Sequence, residues 1–234
     1  MKMVVFTSFK GGCGKSTTLI AAASVLAEMG KRVALFEADD NTPLTIWRRN
    51  AEANGLWDEA CSVYDAQTLE AFEASYEQAE ADGCEIALID TRGGNSELNQ
   101  VILLNSSLTI IPSSLTYYEI HEALQSMRYV VELQKRIDAV HPVGLSLNRF
   151  PNGKLSLSEQ DGLDALDTVP VFETRLGARK AFADLGALGL LHMHHRNLLA
   201  TPGKRISASH TQVALQEARA LTREILQTLE EEEA

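Results

Sequence analysis

The sequence predicts an α/β fold in which a mostly parallel, twisted sheet is flanked by helices. Two observations predict it. Short, apolar, charge-poor runs alternate with segments of helical period along most of the chain. The first run also passes directly into a glycine-rich turn and then a helical pattern, the strand–turn–helix order of a phosphate-binding loop. A chain of 234 residues with 45% hydrophobic content is sufficient for one sizeable core, so a single domain over 1–234 is expected, with 230–234 as a solvated acidic tail.

Taken in order, strands are expected at 3–7, 33–36, 62–64, 86–89, 108–111, 143–147 and 169–172. Their scarcity of charge fits strands covered on both faces. Helices are expected at 16–29, 44–53, 69–81, 118–138, 158–166, 179–186 and 212–229. Gly30 stands where a helix stop usually places glycine. The stretch 200–209, with Pro202-Gly203, reads as a surface loop. No apolar run approaches the roughly 18 residues of a membrane span, and no targeting segment precedes the first motif. Three unpaired cysteines fit a reducing compartment, so a cytoplasmic protein is expected.

The first motif is Lys10-Gly11-Gly12-Cys13-Gly14-Lys15-Ser16-Thr17. Glycines let backbone N–H groups turn inward around phosphate oxygens, and the following helix adds the positive end of its dipole. In such a loop Lys15 is expected to reach the outer phosphates, the Ser16 hydroxyl to hold Mg²⁺, and Thr17 to make a further phosphate contact. The expected ligand is a nucleoside triphosphate, ATP, with Mg²⁺. Ile86-Ala-Leu-Ile-Asp90 places a carboxylate at the C-terminal end of a strand, where ligands sit in open α/β sheets. Asp90 is the candidate to hold Mg²⁺ through water.

Phe9 stands where the ordinary pattern has glycine, and Lys10 is an additional lysine. This deviant form closely resembles the ParA/MinD superfamily of P-loop ATPases. The resemblance implies that Lys10 reaches across an ATP-sandwiched homodimer to the partner's phosphates. Glu37-Ala-Asp39-Asp40-Asn41 resembles the family's acidic strand-end motif. Asp39 then corresponds to the aspartate that positions the attacking water. Glu37 replaces the first aspartate and is a further metal candidate, and Asp40-Asn41 replaces Pro-Gln. Val143-Gly-Leu-Ser-Leu-Asn148-Arg149 matches the strand whose asparagine contacts adenine in relatives, so Asn148 and Arg149 are nucleotide candidates.

Other stretches resemble the VirC ATPases of bacterial T-DNA and conjugative transfer. They are Gly30-Lys-Arg-Val-Ala-Leu-Phe36, Pro43-Leu-Thr-Ile-Trp47, Gly93-Gly-Asn-Ser-Glu-Leu-Asn99 and Glu122-Ala-Leu-Gln-Ser-Met-Arg-Tyr-Val-Val-Glu-Leu133. That resemblance implies a slow, regulatory, DNA-associated ATPase that helps assemble a relaxase–DNA complex and bring it to a secretion channel, with recruitment to the cell pole as a further option. A small plasmid-partition ParA is the alternative. A MinD-like membrane role would need a basic amphipathic C-terminal helix, and the chain ends in acidic residues.

Charge gives separate support for DNA. Between 175 and 223 eight basic residues face two acidic ones, a local charge of +6 in a chain of −11, leaving −17 elsewhere. Arg175, Arg179 and Lys180 lead the candidates for double-stranded DNA, followed by Arg219 and Arg223. Ordinary solvated helix faces would carry the same residues. His192, His194 and His195 are closely spaced but lack an accompanying carboxylate or cysteine cluster, so they read as surface and loop residues. Tyr117-Tyr118 is expected to begin a helix near the dimer face, and Trp47 and Trp57 to anchor packing.

Overall fold

A computed structural model describes residues 1–94, 96–138 and 140–231. Asn95, within one of the VirC-like stretches, and 232–234 of the acidic tail lie outside the described residues. Six strands form the sheet: β1 Lys2–Phe6, β2 Val33–Glu37, β3 Cys61–Asp65, β4 Ile86–Asp90, β5 Leu108–Ser113 and β6 Val143–Leu147. Their order is β3-β2-β4-β1-β5-β6, and every pairing is parallel. All five residues of β2 and of β4 are buried, as strands covered on both faces should be.

The helices are α1 Lys15–Glu28, α2 Pro43–Ala53, α3 Leu69–Ala81, α4 Glu97–Leu104, α5 Tyr117–Lys135, α6 Leu157–Asp164, α7 Lys180–Ala183, α8 Leu185–Leu188, α9 Leu191–Ala200 and α10 Arg205–Glu231. Alternation along β1 sends Val4 and Phe6 into a core shared with α1, α9 and α10. Met3 and Val5 enter the opposite core, against Phe72, Ile102 and Val130 of α3, α4 and α5. Helix α1 is buried almost all round from Thr18 to Ala27. Its small residues Ala21, Ala22, Ala23 and Ser24 let it lie close to both the sheet and α10.

Four expectations need correction. The run 169–172 makes only an isolated bridge, Leu145 to Val171. Pro170 has no N–H to donate, and the N–H groups of Glu173 and Thr174 turn away from β6 to donate to Glu224 of α10. Helix α4 was not expected, although Ser96 caps it by accepting from Asn99 N at 3.2 Å and Glu97 occupies its first turn. The expected helix at 179–186 divides into α7 and α8 at Asp184. The histidine-bearing segment is helix α9, and α10 begins at Arg205, so the expected loop at 200–209 shrinks to a short turn.

Candidate functional site

The site is built where β1, β2 and β4 end. Register places Phe6 opposite Asp90 and Glu37 opposite Asp90, so the phosphate-loop strand and two carboxylates reach one edge together. The chain leaves β1 through 7–14 and enters α1 at Gly14. Gly12 and Gly14 have φ of 80° and 102°, a left-handed backbone that disfavours any side chain. At Gly14 space is also closed, because a Cβ there would lie 2.2 Å from Asn148 Nδ2. No acidic residue stands in the first turn of α1, whose amide dipole therefore faces the loop uncancelled.

Phe9 has a structural explanation. Its N–H donates to Ser126 Oγ at 3.1 Å, and its ring lies 5.1 Å from that of Tyr129, so this position ties the loop to α5. Lys10, Gly11 and Gly12 are exposed, whereas Cys13 and Lys15 are buried. Thr17 joins Gly12 and Gly14 in lining a cavity of 460 Å³ beside the loop.

The Ser16 hydroxyl donates to Asp90 Oδ2 at 2.5 Å. Burial pushes the Asp90 carboxyl up to about 6, with the Asp39 charge adding to the effect, while the Ser16 hydroxyl and the Lys15 charge oppose it. Glu37 Oε2 accepts the Thr45 N–H at 2.8 Å, which caps α2 from the neighbouring strand; Thr42, at the cap position itself, makes no side-chain cap. Burial raises Glu37 to about 7, opposed by the α2 amides and reinforced by Asp90. Glu37 Oε1 and Asp90 Oδ1 remain buried without a hydrogen-bond partner among the described residues. A hydroxyl and two carboxylates with unpartnered oxygens form an oxygen-rich donor set that fits a hard divalent cation such as Mg²⁺.

Asp39 lies on the loop between β2 and α2. Its Oδ1 accepts from Asn41 N at 2.9 Å and Asn41 Nδ2 at 2.8 Å. Asp40 pairs with Arg92 at 2.5 Å, linking this loop to the segment after β4. The Asp40-Asn41 departure therefore supplies its own fixing contacts.

Asn148 is buried, and its Nδ2 donates to Cys13 O at 2.8 Å, while Oδ1 has no hydrogen-bond partner among the described residues. Asn148 thus braces the phosphate loop and also lines the cavity. Arg149, at φ 49°, sends its guanidinium to both oxygens of Glu119 at 2.7 and 2.6 Å. The far wall is the segment from Leu176 to Lys180 with Phe182 of α7. Sequence reasoning missed this wall as part of the site, since bonds to residues distant in the chain, such as Leu176 N to Leu147 O and Gly177 N to Glu217, bring it there.

The five DNA candidates separate in space and in charge. Arg179 and Lys180 line the cavity. Arg179 is paired with Glu217 and Arg219 with Glu28 at 2.7 and 2.8 Å. Arg175 stands 4.5 Å over the Phe150 ring. Arg223 Nε donates to Arg219 O at 3.1 Å. The count of +6 already includes Glu217, so it overstates the local charge by one, through Glu28 of α1, which lies outside 175–223 and pairs with Arg219.

His192 is buried on α9, with Nε2 3.5 Å from Asp58, and burial lowers its pKa. His194 and His195 are likewise lowered by partial burial. The expectation of surface residues is thus corrected for His192. Among the described residues no group of three or more His, Cys, Asp or Glu side chains is placed to hold a metal ion, and no helix is long and apolar enough to cross a membrane. Tyr117 and Tyr118 are exposed at the start of α5. Trp47 is fully buried and meets Trp57 edge-on at 5.1 Å.

Residues 1–231 match the model of the family described as VirC1 protein. The chain belongs to the VirC1 family. It is 40% identical to the protein virC1 of Rhizobium radiobacter over 230 residues, 98% of this chain and 100% of that protein. A virC1 from Rhizobium rhizogenes gives the same identity and coverage. A more distant likeness, 29% over 138 residues, covers 59% of this chain and 60% of a ParA from R. radiobacter. Among solved structures, MinD of Aquifex aeolicus superposes with a TM-score of 0.66 at 18% identity, covering 97% of each chain. A Cyanothece McdA–ATP complex gives 0.66 at 14% identity, over 93% of this chain and 96% of that one. The chain thus has the fold of the ParA/MinD class of P-loop ATPases.

Proposed function

We propose that this protein is an Mg²⁺-dependent ATPase whose ATP-bound form dimerises and associates with double-stranded DNA. In this reading it promotes relaxosome assembly and delivery of DNA to a type IV secretion channel. The carrying observation is the meeting, at one sheet edge, of the phosphate loop with Ser16, Asp90 and Glu37, whose buried carboxylates keep unpartnered oxygens. Family membership supports a role shared with virC1 proteins.

In this reading the whole chain acts as one ATPase domain. Backbone amides from Gly11 to Thr17 and the Lys15 ammonium hold the phosphates, and the cavity bounded by Asn148, Arg149 and Gly177 receives the nucleoside. Ser16, with Asp90 and Glu37, would hold Mg²⁺, which neutralises phosphate charge when bound. Asp39 orients the attacking water, and Lys10, exposed on its own protomer, reaches the partner's phosphates. Turnover is slow and serves to reset the dimer.

Plasmid partition is the second reading, favoured by the likeness to ParA. The two are separated by measuring DNA binding with and without Mg²⁺-ATP, on random duplex and on transfer-origin duplex. The transfer reading expects ATP-dependent binding that prefers the transfer origin. Binding indifferent to ATP, or equal on both duplexes and strengthened only by a partition partner, contradicts it. A Lys15→Ala variant should lose the ATP response.

A further inference from the structure

The wall of the cavity opposite the phosphate loop is held from outside the nucleotide motifs. Residues 173–179 have no strand of their own, only the isolated bridge of Gly177 to Phe150. Two carboxylates of α10, seven residues apart and so on one helix face, clasp this segment at both ends. Glu224 accepts from Glu173 N at 2.8 Å and Thr174 N at 2.9 Å, and from the Thr174 hydroxyl. Glu217 accepts from Gly177 N at 3.0 Å and binds Arg179 through Nε at 2.9 Å and Nη2 at 2.5 Å. The Arg179–Glu217 pair is largely shielded, at 28% and 21% side-chain exposure. Gly177, Ala178 and Arg179 are also among the residues that line the cavity.

We propose that Glu217 is a positioning residue for the nucleoside moiety. It fixes the Gly177–Arg179 wall against which base and ribose rest, and it takes no part in holding the phosphates. In this arrangement Arg179 is a structural cation of the pocket wall, and Glu224 secures the entry to the same segment. The chemistry favours this division. A charged acceptor bound to a backbone N–H and to the Nε and Nη2 of a guanidinium fixes a loop in position as well as in charge. The phosphate loop is braced separately, by Asn148 and by the contacts of Phe9 with α5. Helix α10 also grips α1 through Arg219 and Glu28, so one helix holds both the wall and the helix that follows the phosphate loop.

This inference rests on the reading of the cavity as a nucleoside site. The test is calorimetric titration of wild type, Glu217→Ala and Glu217→Gln with ATP and with inorganic tripolyphosphate, each with Mg²⁺. Tripolyphosphate engages the phosphate loop and leaves the wall untouched. Glu217→Ala should weaken ATP about tenfold, the scale of losing one charge-assisted hydrogen bond, and leave tripolyphosphate within about twofold. Glu217→Gln keeps one acceptor for Gly177 N and should fall between; it also carries the test should the alanine variant not fold. ATP affinity unchanged in both variants, or ATP and tripolyphosphate weakened in parallel, overturns the positioning role. A wild type that binds tripolyphosphate and ATP equally well would instead overturn the nucleoside reading of the cavity.

Discussion

Glu37→Gln should make the protein more stable at neutral pH while leaving it unchanged in acid. Glu37 is a carboxyl at 2% exposure, raised by burial from the ordinary 4.5 to about 7, with the Asp90 charge reinforcing the shift. Its pKa in the folded state therefore exceeds that in the unfolded chain. The folded state holds the extra proton between the two values, so this contribution is fully present below about pH 4.5 and is lost as pH rises through about 7. Each pH unit of that interval is worth about 1.4 kcal/mol, which gives about 3 kcal/mol. Glutamine imitates the protonated acid, and its amide oxygen can still accept the Thr45 N–H that caps α2. In a chain of this size about 3 kcal/mol corresponds to a Tm difference of roughly 6–12 °C. Thermal unfolding of the nucleotide-free protein from pH 4 to 8 provides the assay. The curves of wild type and variant should coincide near pH 4 and separate progressively above pH 5. Parallel curves across the range would show that Glu37 ionises in the fold as it does in water, and the account of the buried carboxylate pair would fail.

Gly14→Ala should cost about 2–4 kcal/mol, combining left-handed backbone strain with the displacement of Asn148 from its bond to Cys13 O. Denaturant unfolding checks this, and a loss below about 1 kcal/mol would mean that the loop relaxes freely. Asp39→Ala should retain ATP and prolong the dimer, with kcat falling about a hundredfold or more; single-turnover hydrolysis at the wild-type rate removes Asp39 from water positioning. For DNA, Arg175→Glu with Lys180→Glu should weaken binding on all duplexes and flatten its salt dependence by about two phosphate contacts. Arg219→Glu should act mainly through stability, because its guanidinium is already committed to Glu28; equal effects of both changes on DNA affinity would refute that division.

The alternation of apolar runs with helical segments was enough to find six strands and most of the helices, because fully buried parallel strands carry few charges. The phosphate loop was equally legible, since glycine at left-handed positions and a lysine at the head of a helix are local requirements that local sequence must meet. The same holds for the Glu37 and Asp90 positions, each at a strand end. Where local sequence misled, the cause was a distant partner. The run 169–172 has strand composition, but Glu224 of α10 draws the following amides away from the sheet. The histidines near 192 looked like loop residues because the sequence cannot show that Ser24 of α1 receives the N–H that begins their helix. Phe9 looked like a departure from a motif until α5 supplied Ser126 and Tyr129 beside it.

By itself the sequence determined the fold class, the phosphate loop and the strand ends that carry the acidic residues. Tertiary structure alone decided that Glu37 and Asp90 share a buried edge, that Leu176 to Lys180 close the cavity, and that α10 holds that wall through Glu217. It also decided that two of the five basic candidates are already paired. The physical reason is range. Backbone conformation and burial periodicity are written in neighbouring residues, whereas charge pairing and the shape of a pocket depend on side chains that folding brings together from far apart in the chain.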